Sequence, residues 1–247
     1  MRYFIAISYN GKAYHGWQIQ PNAITVQEVL EQALSTLLSE TLAVVGAGRT
    51  DAGVHATELI AHFDTDATFD VNQLVFKLNS FLPQDISITK IYKVKSDAHA
   101  RFDAVSRTYL YRVALKKNVF TYDNTYAIRQ VLDVDRMNAA CKILFEYKDF
   151  QCFSKSQTDV KTYYCDIMHA AWVLEGDELH FTIKANRFLR NMVRAIVGTM
   201  VNIGLGKMDV DDLHTVIQSK SRSEAGFSVP AHGLYLTQIE YPEDIIL

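Results

Sequence analysis

Residues 3–9 of this chain, YFIAISY, read as a strand, and further strand-like segments fall at 58–63, 86–94, 108–115, 167–174, 179–184 and 234–241. These segments mostly alternate apolar with polar residues; they do not form solid apolar runs. That feature limits the fold most. A strand that alternates buries one face only, which favours antiparallel sheet with helices over that face.

The helices between them carry start and stop signals. Thr25-Val26-Gln27-Glu28 is a capping box, and it predicts a helix to about Ser39 with Val29, Ala33, Leu34, Leu37 and Leu38 inward. Asp70 caps a second helix that reaches about Phe81, with Pro83 as its stop. A third spans 133–146, with Met137, Ala140, Cys141 and Leu144 inward. Helices over 187–201 and 209–219 and a short apolar strand over 42–45 complete the set. Glu175-Gly176-Asp177-Glu178 reads as the turn of a hairpin. The expected fold is α+β, in two α/β halves covering residues 1–104 and 105–247, with a cleft between them as the expected site.

Composition narrows the function classes. The 247 residues are 49% hydrophobic and 21% charged, ordinary for a soluble globular protein. No stretch has the length and apolarity of a membrane span, and Met1 leads straight into a strand with no signal peptide. Cys141, Cys152 and Cys165 are odd in number, widely spaced and never in CxxC, so a reduced cytoplasmic protein without a cysteine zinc site is expected. The net charge of −3 conceals two basic segments. Residues 90–117 hold Lys90, Lys93, Lys95, Arg101, Arg107, Arg112, Lys116 and Lys117 against Asp97 and Asp103. Residues 179–208 hold Lys184, Arg187, Arg190, Arg194 and Lys207 and no acid. Such segments are either solvated faces or tracks for nucleic-acid phosphates.

The chemistry points to residues 46–56, GAGRTDAGVHA. A dinucleotide fingerprint fails because Asp51 stands where its third glycine belongs. A Walker loop fails because Val54 and His55 follow where lysine and a hydroxyl belong. An aspartate would repel phosphate. A tight turn accounts for the glycines but not for Arg49-Thr50-Asp51 among them, so Asp51 is expected to be a catalytic carboxylate. Small neighbours would let a ligand approach it closely. His55 and His62 flank Asp51 without ligand-like spacing, and no metal site is expected. An aspartate nucleophile must stay ionised and needs a cation nearby. Arg187, Arg190 and Arg194, at i, i+3 and i+7, are expected on one helix face as its source.

GAGRTDAGVHA resembles the active-site motif of the TruA-type tRNA pseudouridine synthases. ARFDAVSRTYLYRV at 100–113, NRFLRNMVRAIVGT at 186–199 and PAHGLYL at 230–236 resemble three further motifs of that family, in the same order. NGKAYHGWQIQP near the start is family-like too. The resemblance implies isomerisation of uridine to pseudouridine in the tRNA anticodon stem-loop, at positions 38–40 of the tRNA, without metal or cofactor. It implies a homodimer whose two chains hold one tRNA, and two halves each like an RNA-recognition sandwich, with sheets joined along the cleft. Asp51 matches the family's nucleophile. Arg194 matches the basic residue paired with it. Tyr109 matches the tyrosine that stacks on the uracil, Arg49 the arginine that extrudes the base, and Leu234 an apolar residue of the base pocket. Whether Asp51 attacks the ribose C1′ or the uracil ring stays open. After His55-Ala56-Thr57 the family often carries Gly-Gln; this chain has Glu58-Leu59, a negative charge on that strand. Two other classes compete: a non-catalytic RNA-binding protein of the same fold, and a nucleoside hydrolase using Asp51.

Overall fold

The computed structural model describes residues 1–156 and 160–247. In chain order the elements are β1 (Arg2–Tyr9), α1 (Val26–Leu38), β2 (Val45–Gly46), β3 (His55–Asp64), α2 (Val71–Phe81), β4 (Ile86–Lys93), β5 (Ser106–Ala114), β6 (Tyr126–Ala127), α3 (Val134–Leu144), β7 (Ile167–Glu175), β8 (Glu178–Ala185), α4 (Met192–Gly204), α5 (Asp212–Ser219) and β9 (Leu234–Glu240). They form two units, Met1–Val105 with Tyr235–Leu247, and Ser106–Leu234.

In the first unit β1 lies between β4 and β3, antiparallel to both, and β2 pairs with β3. β9 joins the other edge of β3 in parallel, at His55↔Tyr235 and Ala56↔Leu236. Farther along, the Glu58 carboxylate accepts the Ile239 N–H at 3.2 Å. The core holds Phe4, Ile5, Ile7, Leu30, Leu34, Leu59, Phe63 and Leu78, all buried. In the second unit β8 lies between β5 and β7, antiparallel to both, and β6 runs parallel to β5. Tyr111, Phe181, Ile183, Met137, Leu144, Ile196 and Met200 fill its core.

The starts of α1, α2 and α3 follow from their caps. Thr25, Asp70 and Asp133 have extended backbones, and their side chains accept the N–H of Glu28, Gln73 and Arg136. Each satisfies one of the donors that a helix start leaves orphaned. The Glu175–Glu178 hairpin turns at Gly176, whose φ of +62 suits glycine. The α+β class and the mainly antiparallel pairing agree with the sequence-based expectation.

Four local expectations change. On α1 the buried residues are Val26, Leu30, Ala33 and Leu34, while Val29, Leu37 and Leu38 are only half-buried. Leu37 and Leu38 line a surface cavity of about 340 Å3 with Phe69 and Leu74. The strand over 42–45 shrinks to Val45–Gly46. There α1 side chains take the backbone bonds a sheet would have used: Ser35 accepts from Leu42, Glu31 accepts from Val44, and Gln27 donates to the Val44 carbonyl. The helix over 187–201 begins only at Met192. The division of the chain is not a single cut at 104/105 either, because residues 235–247 pack with the first unit through β9.

Candidate active site

The Asp51 loop is held from both sides by the segment that follows β1. The Thr50 carbonyl accepts Trp17 N–H at 3.3 Å, Gly53 N–H donates to the Tyr14 carbonyl at 3.3 Å, and the Asp51 carbonyl accepts Val54 N–H at 3.1 Å. Close approach is possible because glycines stand at the contacts. At Gly16, with φ +87, a Cβ would lie 2.2 Å from the Thr50 carbonyl oxygen. Beside Gly46 the Trp17 indole occupies the space, with Nε1 only 2.4 Å from where a Cβ would be. The vacancy at Gly46 therefore receives the protein's own tryptophan. Gly48 has nothing within 4 Å of a Cβ, and Gly53, at φ +78, makes the turn after Asp51.

The sequence-predicted residues of this unit are Arg49 and Asp51. Asp51 is half-buried and Arg49 exposed, and Arg49 Nε donates to Gln18 Oε1 at 3.1 Å. One N-terminal segment thus touches both sides of the Asp51 loop. Tyr14, which anchors Gly53, is itself tied down: its hydroxyl donates to Asp85 at 2.6 Å. The flanking histidines have structural bonds. His55 Nδ1 accepts Gly11 N–H at 3.0 Å, and its ring stacks on Tyr235 at 4.7 Å. His62 Nδ1 accepts Ala100 N–H at 3.1 Å, and burial pulls the imidazole down to about 4. A nitrogen that accepts an N–H must be unprotonated, so geometry and burial agree on a neutral ring.

In the second unit the strand register places Tyr109 opposite Ile183 on β8 and Tyr111 opposite Phe181. The two tyrosines share a strand face but not an environment. Tyr111 is fully buried, donates to the Pro230 carbonyl at 2.8 Å and packs on Gly233, where a Cβ would lie 2.8 Å from its ring. Burial pushes its phenol well above the usual range. Tyr109 is half-buried, and its ring meets Phe188 edge-on at 5.1 Å. Tyr109 is therefore the less enclosed of the two rings.

Arg194 lies in the first turn of α4, and its Nε donates to the Val229 carbonyl at 2.7 Å while Val229 N–H returns a bond to the Arg194 carbonyl at 3.2 Å. That alignment comes from Gly198 and Gly226. A Cβ at Gly198 would lie 1.8 Å from the Phe227 carbonyl oxygen, and Gly226 N–H donates to Thr199 Oγ1 at 2.8 Å. Leu234, which follows Gly233, is buried. Arg194 and Leu234 thus bracket the 229–234 segment that Tyr111 supports from beneath.

Arg187 and Arg190 do not share a helix face with Arg194. Asn191 adopts φ +67, its side chain donates to Ser228 Oγ at 2.7 Å, and the Arg190 carbonyl accepts from Lys155. A left-handed residue at 191 cannot continue a right-handed helix backwards. Parts of the basic segments also have partners in their own units: Lys95 with Asp244, Lys116 with Asp177, and Arg112 with Glu178 through both nitrogens. Lys90, Lys93, Arg101, Lys117, Arg190 and Lys207 are exposed. The thiols are poor nucleophiles, because burial pushes Cys141 and Cys152 up to about 12 and Cys165 to about 11.

Residues 5–103 and 140–242 match the model of a protein family described as tRNA pseudouridine synthase. The chain belongs to the tRNA pseudouridine synthase family. Within it the chain is 53% identical over 247 residues to the tRNA pseudouridine synthase A of Parabacteroides distasonis, covering 99% of this chain and 97% of that protein. It is 49% identical over 250 residues to that of Porphyromonas gingivalis, covering 100% and 99%. With that of a Geobacter species the figures are 39% over 242 residues, 97% and 98%. Tyr109 falls between the two stretches that match the family model. The sequence-based reading passed over Tyr9, Tyr14, Trp17 and Gln18, which hold the Asp51 loop. For Tyr14, Trp17 and Gln18 the signal was the family-like NGKAYHGWQIQP block, quoted without a role; Tyr9 was read only as the end of a strand.

Proposed function

We propose that this member of the tRNA pseudouridine synthase family isomerises uridine to pseudouridine in the anticodon stem-loop of tRNA, at positions 38–40, with Asp51 as nucleophile. The N1–C1′ bond of the uridine breaks, the uracil turns, and C5 bonds to C1′. N1 gains a proton and C5 loses one, so the composition is unchanged. Asp51 carries the covalent step. Arg194 supplies positive charge to the chemistry. Tyr109 stacks on the displaced uracil, Leu234 lines its pocket, and Arg49 fills the place the base leaves.

A uridine in a stem must be flipped out, at a cost of a few kcal/mol. Stacking on an aromatic ring offsets roughly 1–3 kcal/mol of that. The exposed cations of both basic segments follow the RNA backbone, so binding weakens as salt rises. The active form is a cytoplasmic homodimer; among the described residues no helix is long and apolar enough to cross a membrane.

What carries the reading is an aspartate on a loop fixed at both ends, within a chain that matches the family over nearly its whole length. The test is tRNA tritiated at uracil C5. Isomerisation releases tritium to water, binding alone releases none, and hydrolysis frees uracil. Asp51→Ala is expected to bind tRNA and release no tritium. Release at the wild-type rate would remove Asp51 from the chemistry.

A further inference from the structure

Tyr9 ends β1, and its hydroxyl lies 2.8 Å from Thr50 Oγ1, across 41 residues of chain. Both side chains are buried, Tyr9 at 4% exposure and Thr50 at 8%. The Tyr9 ring also stacks on Trp17, at 6.4 Å between centroids. Trp17, wedged beside Gly46, donates its backbone N–H to the Thr50 carbonyl. Thr50, the residue before Asp51, is therefore held by its side chain through Tyr9 and by its main chain through Trp17.

Stability alone does not require two hydroxyls here. A buried hydrogen bond adds little net stability, and apolar side chains of the same shape would pack as well. A hydrogen bond supplies direction instead. It selects one Thr50 rotamer and, with the Trp17 bond, one orientation of the peptide that enters Asp51. Reacting atoms tolerate little error: a misplacement of about 1 Å can cost 100-fold in rate. We propose that Tyr9 is a positioning residue: its hydroxyl, acting through Thr50, sets the angle at which Asp51 meets the uridine. This rests on the reading of Asp51 as nucleophile.

The test compares tritium release, KM for tRNA and urea unfolding in Tyr9→Phe, Thr50→Val, Thr50→Ser, the Tyr9→Phe/Thr50→Val double variant and Asp51→Ala. Tyr9→Phe keeps the ring and its stacking on Trp17. It is expected to lower kcat about tenfold with KM unchanged, and to lower the urea midpoint only slightly, leaving the protein folded under assay conditions. Thr50→Val should match it, Thr50→Ser should restore the rate, and the double variant should be no slower than the slower single variant, since both remove one linkage. Wild-type kcat in Tyr9→Phe, or single losses that multiply in the double variant, would overturn the proposal. So would a rate loss that only follows the unfolded fraction. Asp51→Ala separates the two failures. If it turns over, the nucleophile assignment falls; if it is inactive while Tyr9→Phe is fully active, only the positioning role falls.

Discussion

The two units solve the same structural problem in one way and hold their functional side chains in different ways. In each, a helix asparagine closes the outer strand of the sheet. Asn79 of α2 donates to the Ile88 carbonyl at 2.8 Å and accepts Ile88 N–H at 2.7 Å. Asn138 of α3 does the same for Trp172, at 3.0 and 2.8 Å. A carboxamide carries one donor and one acceptor, so it imitates the strand that would otherwise pair there.

Above that shared frame the units diverge. The first presents Asp51 on a loop, and a loop needs a lock from outside: glycine contacts, two backbone bonds and the Tyr9–Thr50 pair. The second presents Tyr109 on a strand, where register with β8 already fixes the side chain. Arg194 is intermediate, on a helix whose first turn is bonded to the 226–229 segment. The comparison teaches that the cost of precision falls on the element least constrained by its own backbone bonds.

The largest expected effect separates Tyr109 from Tyr111. Tyr109→Leu should cost about 100-fold or more in tritium release with little change in the urea midpoint. Tyr111→Leu should instead lower stability by about 2–5 kcal/mol, since it leaves a void in the core and an unpaired Pro230 carbonyl. If Tyr109→Leu unfolds the protein and keeps its specific rate, the contrast between them is broken.

The asparagine clamps come next. Asn79→Ala and Asn138→Ala should each cost about 1–2 kcal/mol in urea unfolding, each losing two bonds to one strand residue. Equal losses would sharpen the parallel between the units; a silent variant would show that one edge needs no closing.

The remaining effect is one of pH, and it is absent near neutrality. Burial, then the neighbouring Arg2 and His99, lower the His62 imidazole to about 4, against the opposing pull of Asp64 and Asp103. An unfolded histidine titrates near 6.5. Below about 6.5 the unfolded chain therefore binds a proton that the folded chain refuses, and stability declines until the pH passes through about 4. The urea midpoint should fall over that window, and less so in His62→Gln, which keeps an acceptor for Ala100. Amide exchange should rise first in β1 and β3. An equal rise in β5 and β8 would mean the effect is not confined to the first unit.

Local signals were legible in the amino-acid sequence where the physics is local. Thr25 and Asp70 announced two helix starts because a cap acts within four residues. The Glu175–Glu178 turn was readable for the same reason. The Arg187–Arg190 stretch misled because Asn191 is an ordinary helix residue by composition and left-handed only in its tertiary setting, tied to Ser228. Leu42–Val44 misled because the partners of its backbone are side chains of α1. At the site, Asp51 stood out because a carboxylate among glycines fits no phosphate loop. Tyr9 did not, since its partner is 41 residues away and an aromatic at a strand end looks like core.

The return of β9 to the first unit also sets an order of manufacture. Residues 235–247 are made after all of Ser106–Leu234, so the first unit lacks a strand until the chain is complete. Until then His55 has no Tyr235 beneath its ring, Glu58 has no Ile239 amide to accept, and Ala100 has no Tyr241 hydroxyl bonded to its carbonyl. The loop that carries Asp51 leads directly into His55. A nascent or prematurely ended chain is thus left with an unfinished Asp51 unit.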